Sequence, residues 1–158
     1  MTAAHTLTAY ERGPAVLHAV VHGLPIAQGN ISHLGKGRPA IYGNQKLLKP
    51  WRQRLHWELR HCVNGIADFP LAGPVAVDIT FTMPKPKAAP KKRRTYPITR
   101  PDRGKLARAV EDALTEAGVI RDDSQIVDGA TRKVFPGEHP LALGSPGAVV
   151  YVYMIGGA

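Results

Sequence analysis

The sequence predicts an α/β (α+β) fold: a mixed β-sheet of about four to five strands with two main helices packed against it. Three observations point there. VAVDITFTM (75–83) alternates apolar and polar residues at the period of a strand. GAVVYVYMI (147–155) is a β-branched and aromatic run bounded by a Pro/Gly segment. Between them Leu106, Ala109, Val110, Ala113, Leu114 and Ala117 recur at helical spacing. A length of 158 residues suits one core.

Taken in order, residues 1–13 read as a flexible N-terminal arm and 14–158 as a single domain. PAVLHAVVHGLP (14–25) is the first strand, stopped by Gly23 and Pro25. Residues 26–49 form a glycine-rich loop with a short strand near Ala40–Tyr42. Pro50 suits the first position of a helix, along which Trp51, Leu55, Leu59, Cys62 and Ile66 make a buried stripe. Arg52, Arg54, His56, Arg60 and His61 occupy its other positions, as a solvated surface or a DNA-facing one. After the strand at 75–83, PKPKAAPKKRRTYPITRP (84–101) is a basic, proline-rich loop that fits no regular element. The second helix follows and ends at Gly118. SQIVDGATRKVF (124–135) reads as one continuous strand, 136–147 as a Pro/Gly loop and 147–155 as a further strand.

Charge narrows the function. The formal net charge is +9 and the isoelectric point is near 10.0. Such a field attracts polyanions, and nucleic acid gains further from counterion release. A membrane is disfavoured: no run of eighteen apolar residues exists, and no strongly amphipathic basic helix stands at a terminus. The single Cys62 excludes an internal disulfide and, with no export-type apolar run near Met1, fits a cytoplasmic setting. There is no phosphate-binding glycine loop, and no serine or cysteine triad is supported. His5, His18, His22, His33, His56, His61 and His139 lack metal-ligand spacing.

Chemistry concentrates in RPDRGKLARAVEDALTEAG (100–118) and IRDDSQIVD (120–128). Asp102 stands at a helix start, where it can cap the helix or hold a cation. Asp122 and Asp123 stand in the turn before a strand, with the same two roles open to them. Glu111 lies seven residues beyond Gly104 on the same helix face, about 10 Å along the axis. Pairing with Arg108 or Lys105 is its expected role. Nine basic residues (Lys85, Lys87, Lys91, Lys92, Arg93, Arg94, Arg100, Arg103 and Lys105) fall between 84 and 105 against one acid, Asp102. They suit phosphate tracking, or a merely solubilising loop.

The run Pro101-Asp102, Lys105-Leu106, Arg108, Asp112-Ala113-Leu114 and Asp122-Asp123-Ser124-Gln125-Ile126, preceded by TYPITRPD (95–102), resembles the signature of the RusA family of Holliday junction resolvases in its phage and actinobacterial form. Gly23–Pro25 and Trp51-Arg52 also suit such members. The resemblance implies a homodimeric, Mg²⁺-dependent endonuclease acting on branched DNA, with Mn²⁺ as a substitute ion. It implies that Asp102 and Asp123 are the catalytic, metal-binding aspartates, that Asp122 stands beside them, and that Arg108 occupies the position of a functional lysine. The nine basic residues would be the DNA-binding set. One position departs from the pattern: Gly104 stands where the family carries a second aspartate. That departure leaves a second reading, a catalytically weakened branched-DNA-binding protein of the same family. A basic RNA-binding protein of ribosome-associated type is a third.

Overall fold

Apolar residues at alternate positions of three long segments build the sheet. The computed structural model describes residues 7–29, 31–33, 36–37, 40–42 and 45–156. Its strands are β1 (Arg12–His22), β2 (Ile31–His33), β3 (Ala40–Tyr42), β4 (Val75–Thr82), β5 (Ile126–Asp128), β6 (Thr131–Val134) and β7 (Gly147–Ile155). Its helices are α1 (Gln45–Val63) and α2 (Arg103–Glu116). A five-stranded sheet runs in the order β1-β7-β4-β5, with β6 also paired to β4. β7 is antiparallel to both β1 and β4, while β5 and β6 run parallel to β4. β2 and β3 form a separate antiparallel pair. The mixed sheet with two helices agrees with the fold class read from the sequence.

Both helices feed one core. Leu17, Ala19 and Val21 of β1, Val75, Val77, Ile79 and Phe81 of β4, and Val150 and Val152 of β7 are buried there. α1 adds Leu48, Trp51, Leu55, Leu59 and Val63; α2 adds Leu106, Ala109, Val110, Ala113 and Leu114. Removing each large side chain of this kind from water contributes about 1.5–3 kcal/mol.

Four expectations need correction. β1 begins at Arg12, so residues 12 and 13 belong to the sheet and not to an arm; residues 1–6, with His5, lie outside the described residues. The Arg12 guanidinium explains this, bonding Asp78 at 2.8 Å and Asp128 at 3.0 Å across the sheet. α1 begins at Gln45, not Pro50. Proline lacks the N–H that would bond four residues back, yet Leu48 is buried and anchors the turn before it. The buried stripe of α1 therefore runs through Leu48 and Val63; Cys62 is only partly buried, and Ile66 is exposed beyond the helix end. β4 is buried on both faces: Thr80 Oγ1 accepts a bond from Arg132 and Thr82 Oγ1 one from the Leu143 N–H, so its polar positions face partners instead of water. Finally, 124–135 is not one strand. Asp123–Gln125 is a 3-10 turn, and Gly129 separates β5 from β6.

Gly129 shows why the strand breaks. Its φ of +151° is one that side chains rarely adopt, and a Cβ there would overlap the Val77 carbonyl, lying 2.9 Å from its carbon. Asp78 stitches the break by accepting the Ala130 N–H at 2.9 Å. Gly129→Ala is expected to destabilise the fold by about 1–3 kcal/mol from backbone strain, with further loss from the overlap. Gly137→Ala, at φ +70° with open space around its Cβ, should cost less. Urea denaturation of the two variants compares them; equal losses would remove the contact with Val77 as the cause.

Candidate active site and basic loop

Asp102 occupies the N-cap position of α2 with extended backbone, φ −68° and ψ 140°, but its side chain makes no capping hydrogen bond. The role its position suggests is not the one it performs. It is exposed, and its Oδ2 lies 3.8 Å from Lys105 Nζ. Two basic side chains fix the backbone around it. Lys133 Nζ, reaching across from β6, donates to the carbonyls of Thr99 at 2.8 Å and Pro101 at 2.9 Å. Arg103 donates to the Thr131 carbonyl at 3.0 Å. Sequence reasoning passed over Lys133; its only signal was a basic residue inside an otherwise strand-like TRKV segment.

At the far end of α2, Gly118 adopts φ +79° and the chain doubles back through Val119 and Ile120, both buried. Asp122 then accepts the Ser124 N–H at 2.9 Å. Gln125 Oε1 accepts the N–H groups of Arg121 at 2.7 Å and Asp122 at 3.0 Å, completing a capping box. The bonds to Ser124 hold the Asp122 carboxyl below the usual carboxylate range. Asp122 therefore has a structural task, whereas Asp123 opens the turn as an exposed neighbour.

Glu111 supplies the link that spacing alone did not reveal. Burial raises its pKa, and the Asp123 and then the Asp112 carboxylates raise it further, against an opposing pull from Arg108. The 3-10 turn that carries Asp123 packs back on α2, the helix of Arg108 and Glu111. Asp102 stands at the other end of that helix, and among the described residues no three His, Cys, Asp or Glu side chains form a set able to hold a metal ion. Gly104 leaves open space where a side chain would stand. The carboxylate oxygens present still suit a hard divalent cation, since Mg²⁺ commonly takes one or two protein carboxylates and fills its other positions with water and substrate oxygens.

The basic loop is fastened at both ends. The Thr95 N–H bonds Glu138 at 2.8 Å, and Lys85 pairs with the same carboxylate at 3.2 Å while lying over the Phe135 ring. Arg94 lies over Tyr96. Lys87, Lys91, Lys92, Arg93, Arg94 and Arg100 are exposed, as is Arg103 at the start of α2. Lys91, Lys92, Arg93 and Arg94 border a basin of about 830 Å³ with Glu138 and His139 in its wall. Such a basin complements phosphate. No helix among the described residues is long and apolar enough to cross a membrane.

A family model described as Endodeoxyribonuclease RusA matches residues 23–142, most of the chain. No curated protein matches it.

Because the folded pKa of Glu111 is raised, its ionisation opposes folding. This group's contribution to stability falls as pH rises from its unfolded value, about 4.3, through the folded one. Glu111→Gln is therefore expected to melt at a higher temperature than the parent at pH 7 in the presence of a chelator. The gap should close as pH falls below about 4. Calorimetry at both pH values checks this, and a variant that melts lower at pH 7 would mean that attraction to Arg108 outweighs the repulsion.

Proposed function

Because the chain belongs to the RusA family of endodeoxyribonucleases, we propose that it cuts branched DNA, the Holliday junction foremost, by metal-dependent phosphodiester hydrolysis in recombination and repair. The observation that carries this reading is the family match over residues 23–142, together with an exposed Asp102 that stands at the start of α2 without capping it.

Asp102 and Asp123 are the side chains we assign to cation binding, Mg²⁺ with Mn²⁺ as a substitute; within one copy they stand at opposite ends of α2, so an ion with bonds of about 2 Å reaches only one of them there. When bound, the ion would polarise a phosphoryl oxygen and acidify a water. The chain's own residues do the rest. Arg108 presents positive charge where negative charge builds on the phosphorane oxygens. Lys91, Lys92, Arg93 and Arg94 hold the flanking phosphates in register, and Arg100, Arg103 and Lys105 continue that track to Asp102. Asp122 keeps Asp123 in place through its cap on Ser124. A four-way junction has two-fold symmetry, so a homodimer presenting two such sites would match it.

The missing carboxylate at position 104 supports a second reading, a junction-binding protein with little cleavage. A labelled four-way junction incubated with Mg²⁺ or with a chelator separates the two. Paired nicking that needs the ion supports the nuclease; binding without nicking at any Mg²⁺ or Mn²⁺ concentration supports the weakened form. In an active protein, Asp102→Asn and Asp123→Asn should each lower cleavage by about two orders of magnitude or more while junction binding in chelator stays near that of the parent. Parental cleavage by either variant removes that residue from the site.

A Cβ at Gly104 meets nothing within 4 Å, and Gly104→Asp should lower the Mg²⁺ concentration needed for half-maximal cleavage. An unchanged Mg²⁺ dependence in the folded variant would show that position 104 does not face the ion.

A further inference from the structure

The outward face of α1 carries an indole in a field of cations. Trp57 is 71% exposed, whereas Trp51, less than two turns earlier on the same helix, is 2% exposed. Helical spacing brings Lys49, Gln53, His56, Trp57 and Arg60 to one side, and all five are exposed. Two depressions meet at His56 and Trp57. One, of about 440 Å³, has Leu48 as its apolar floor and Lys49 and Arg52 on its border. The other, of about 270 Å³, is bordered by Arg60, His61 and Asn64. Glu116 is the one acid lining either depression among the described residues, and it is already paired with Arg52.

We infer that this face is a second DNA contact, in which an unstacked base lies on the Trp57 indole while the neighbouring phosphates meet Lys49 and Arg60. Charge complementarity selects the partner. A protein partner would favour an apolar centre with few lysines, but the indole here is ringed by lysine, arginine and histidine. Intact duplex would use the cations and leave the indole idle, because its base faces are closed by stacking. A base freed from its stack uses both, and aromatic side chains in a basic groove bind single strands in this way. The larger depression has the volume of a small-ligand pocket.

The contact is separate from Asp102. It borders Glu116 at the end of α2, and Asp102 precedes the start of that helix, about 20 Å away along fourteen residues. A branched substrate offers unstacked bases at a distance from the cut phosphate. The inference rests on the reading that this chain's substrate is branched DNA.

Trp57 is also the probe. With Trp51 buried, quenching of tryptophan emission by added DNA reports mainly on Trp57. A short oligothymidylate, added in chelator, should quench the parent, and a blunt duplex of equal length should quench it much less. Trp57→Ala should abolish the quenching and weaken oligothymidylate binding about tenfold, and Trp57→Phe should restore part of that affinity. Replacing Lys49 and Arg60 together by Gln should reduce the salt slope of binding by roughly 0.7 per contact. The inference is overturned by equal quenching from duplex, by parental affinity in Trp57→Ala, or by a Trp57→Ala that changes only the sedimenting mass, which would assign the face to a second copy of the chain. A parent that nicks junctions but shows no Trp57 effect loses this inference alone. A parent that neither binds nor nicks any DNA loses the proposed function with it.

Discussion

Everything chemical in this molecule depends on how the apolar stripe of α2 seats against the sheet. Leu106, Ala109, Val110, Ala113 and Leu114 are fully buried. The helix therefore behaves as a fixed post. Its start sets where Asp102 stands, its middle carries Glu111, and the buried Val119–Ile120 return sets where Asp123 stands. Displacing the stripe would move all three carboxylates at once.

The acidic residues divide by task. The chain has twelve Asp and Glu residues against twenty-one Lys and Arg. Asp78 and Asp128 hold Arg12, Asp122 caps the 3-10 turn, Glu138 fastens the basic loop, and Glu116 pairs with Arg52. Asp102, Glu111 and Asp123 are among the other seven, with Glu11, Glu58, Asp68 and Asp112. Basic residues divide in the same way: Lys133 and Arg103 secure backbone carbonyls, while the cations at 91–94 stay open to solvent. A site whose scaffold is secured by other residues can present charge that is not already neutralised.

Much of this was legible in the sequence, and the reasons differ by element. β7 and the buried stripe of α2 were readable because hydrophobic period alone determines them. β4 was readable as a strand but not as one buried on both faces, since the partners of Thr80 and Thr82 come from residues 132 and 143. The start of α1 was misread because a local rule about Pro50 was overridden by burial of Leu48. The break at Gly129 was hidden because its cause, the Val77 carbonyl, lies on a neighbouring strand. Asp102, Asp122 and Asp123 stand in the motif that carries the family resemblance. The coupling of Glu111 to Asp123 was not legible, because spacing along a helix is silent about a turn that folds back onto it.

The strand order has a consequence for synthesis. β7 lies between β1 and β4 and is the antiparallel partner of both. A ribosome makes β1 and β4 long before residue 147, so each waits without its shared neighbour while the chain lengthens. Contacts this distant in sequence slow folding and leave strand edges open in the meantime. The same order withholds the completed scaffold from any nascent fragment that stops after the acidic motif, so a half-made chain carries its basic loop before the sheet behind its carboxylates is whole.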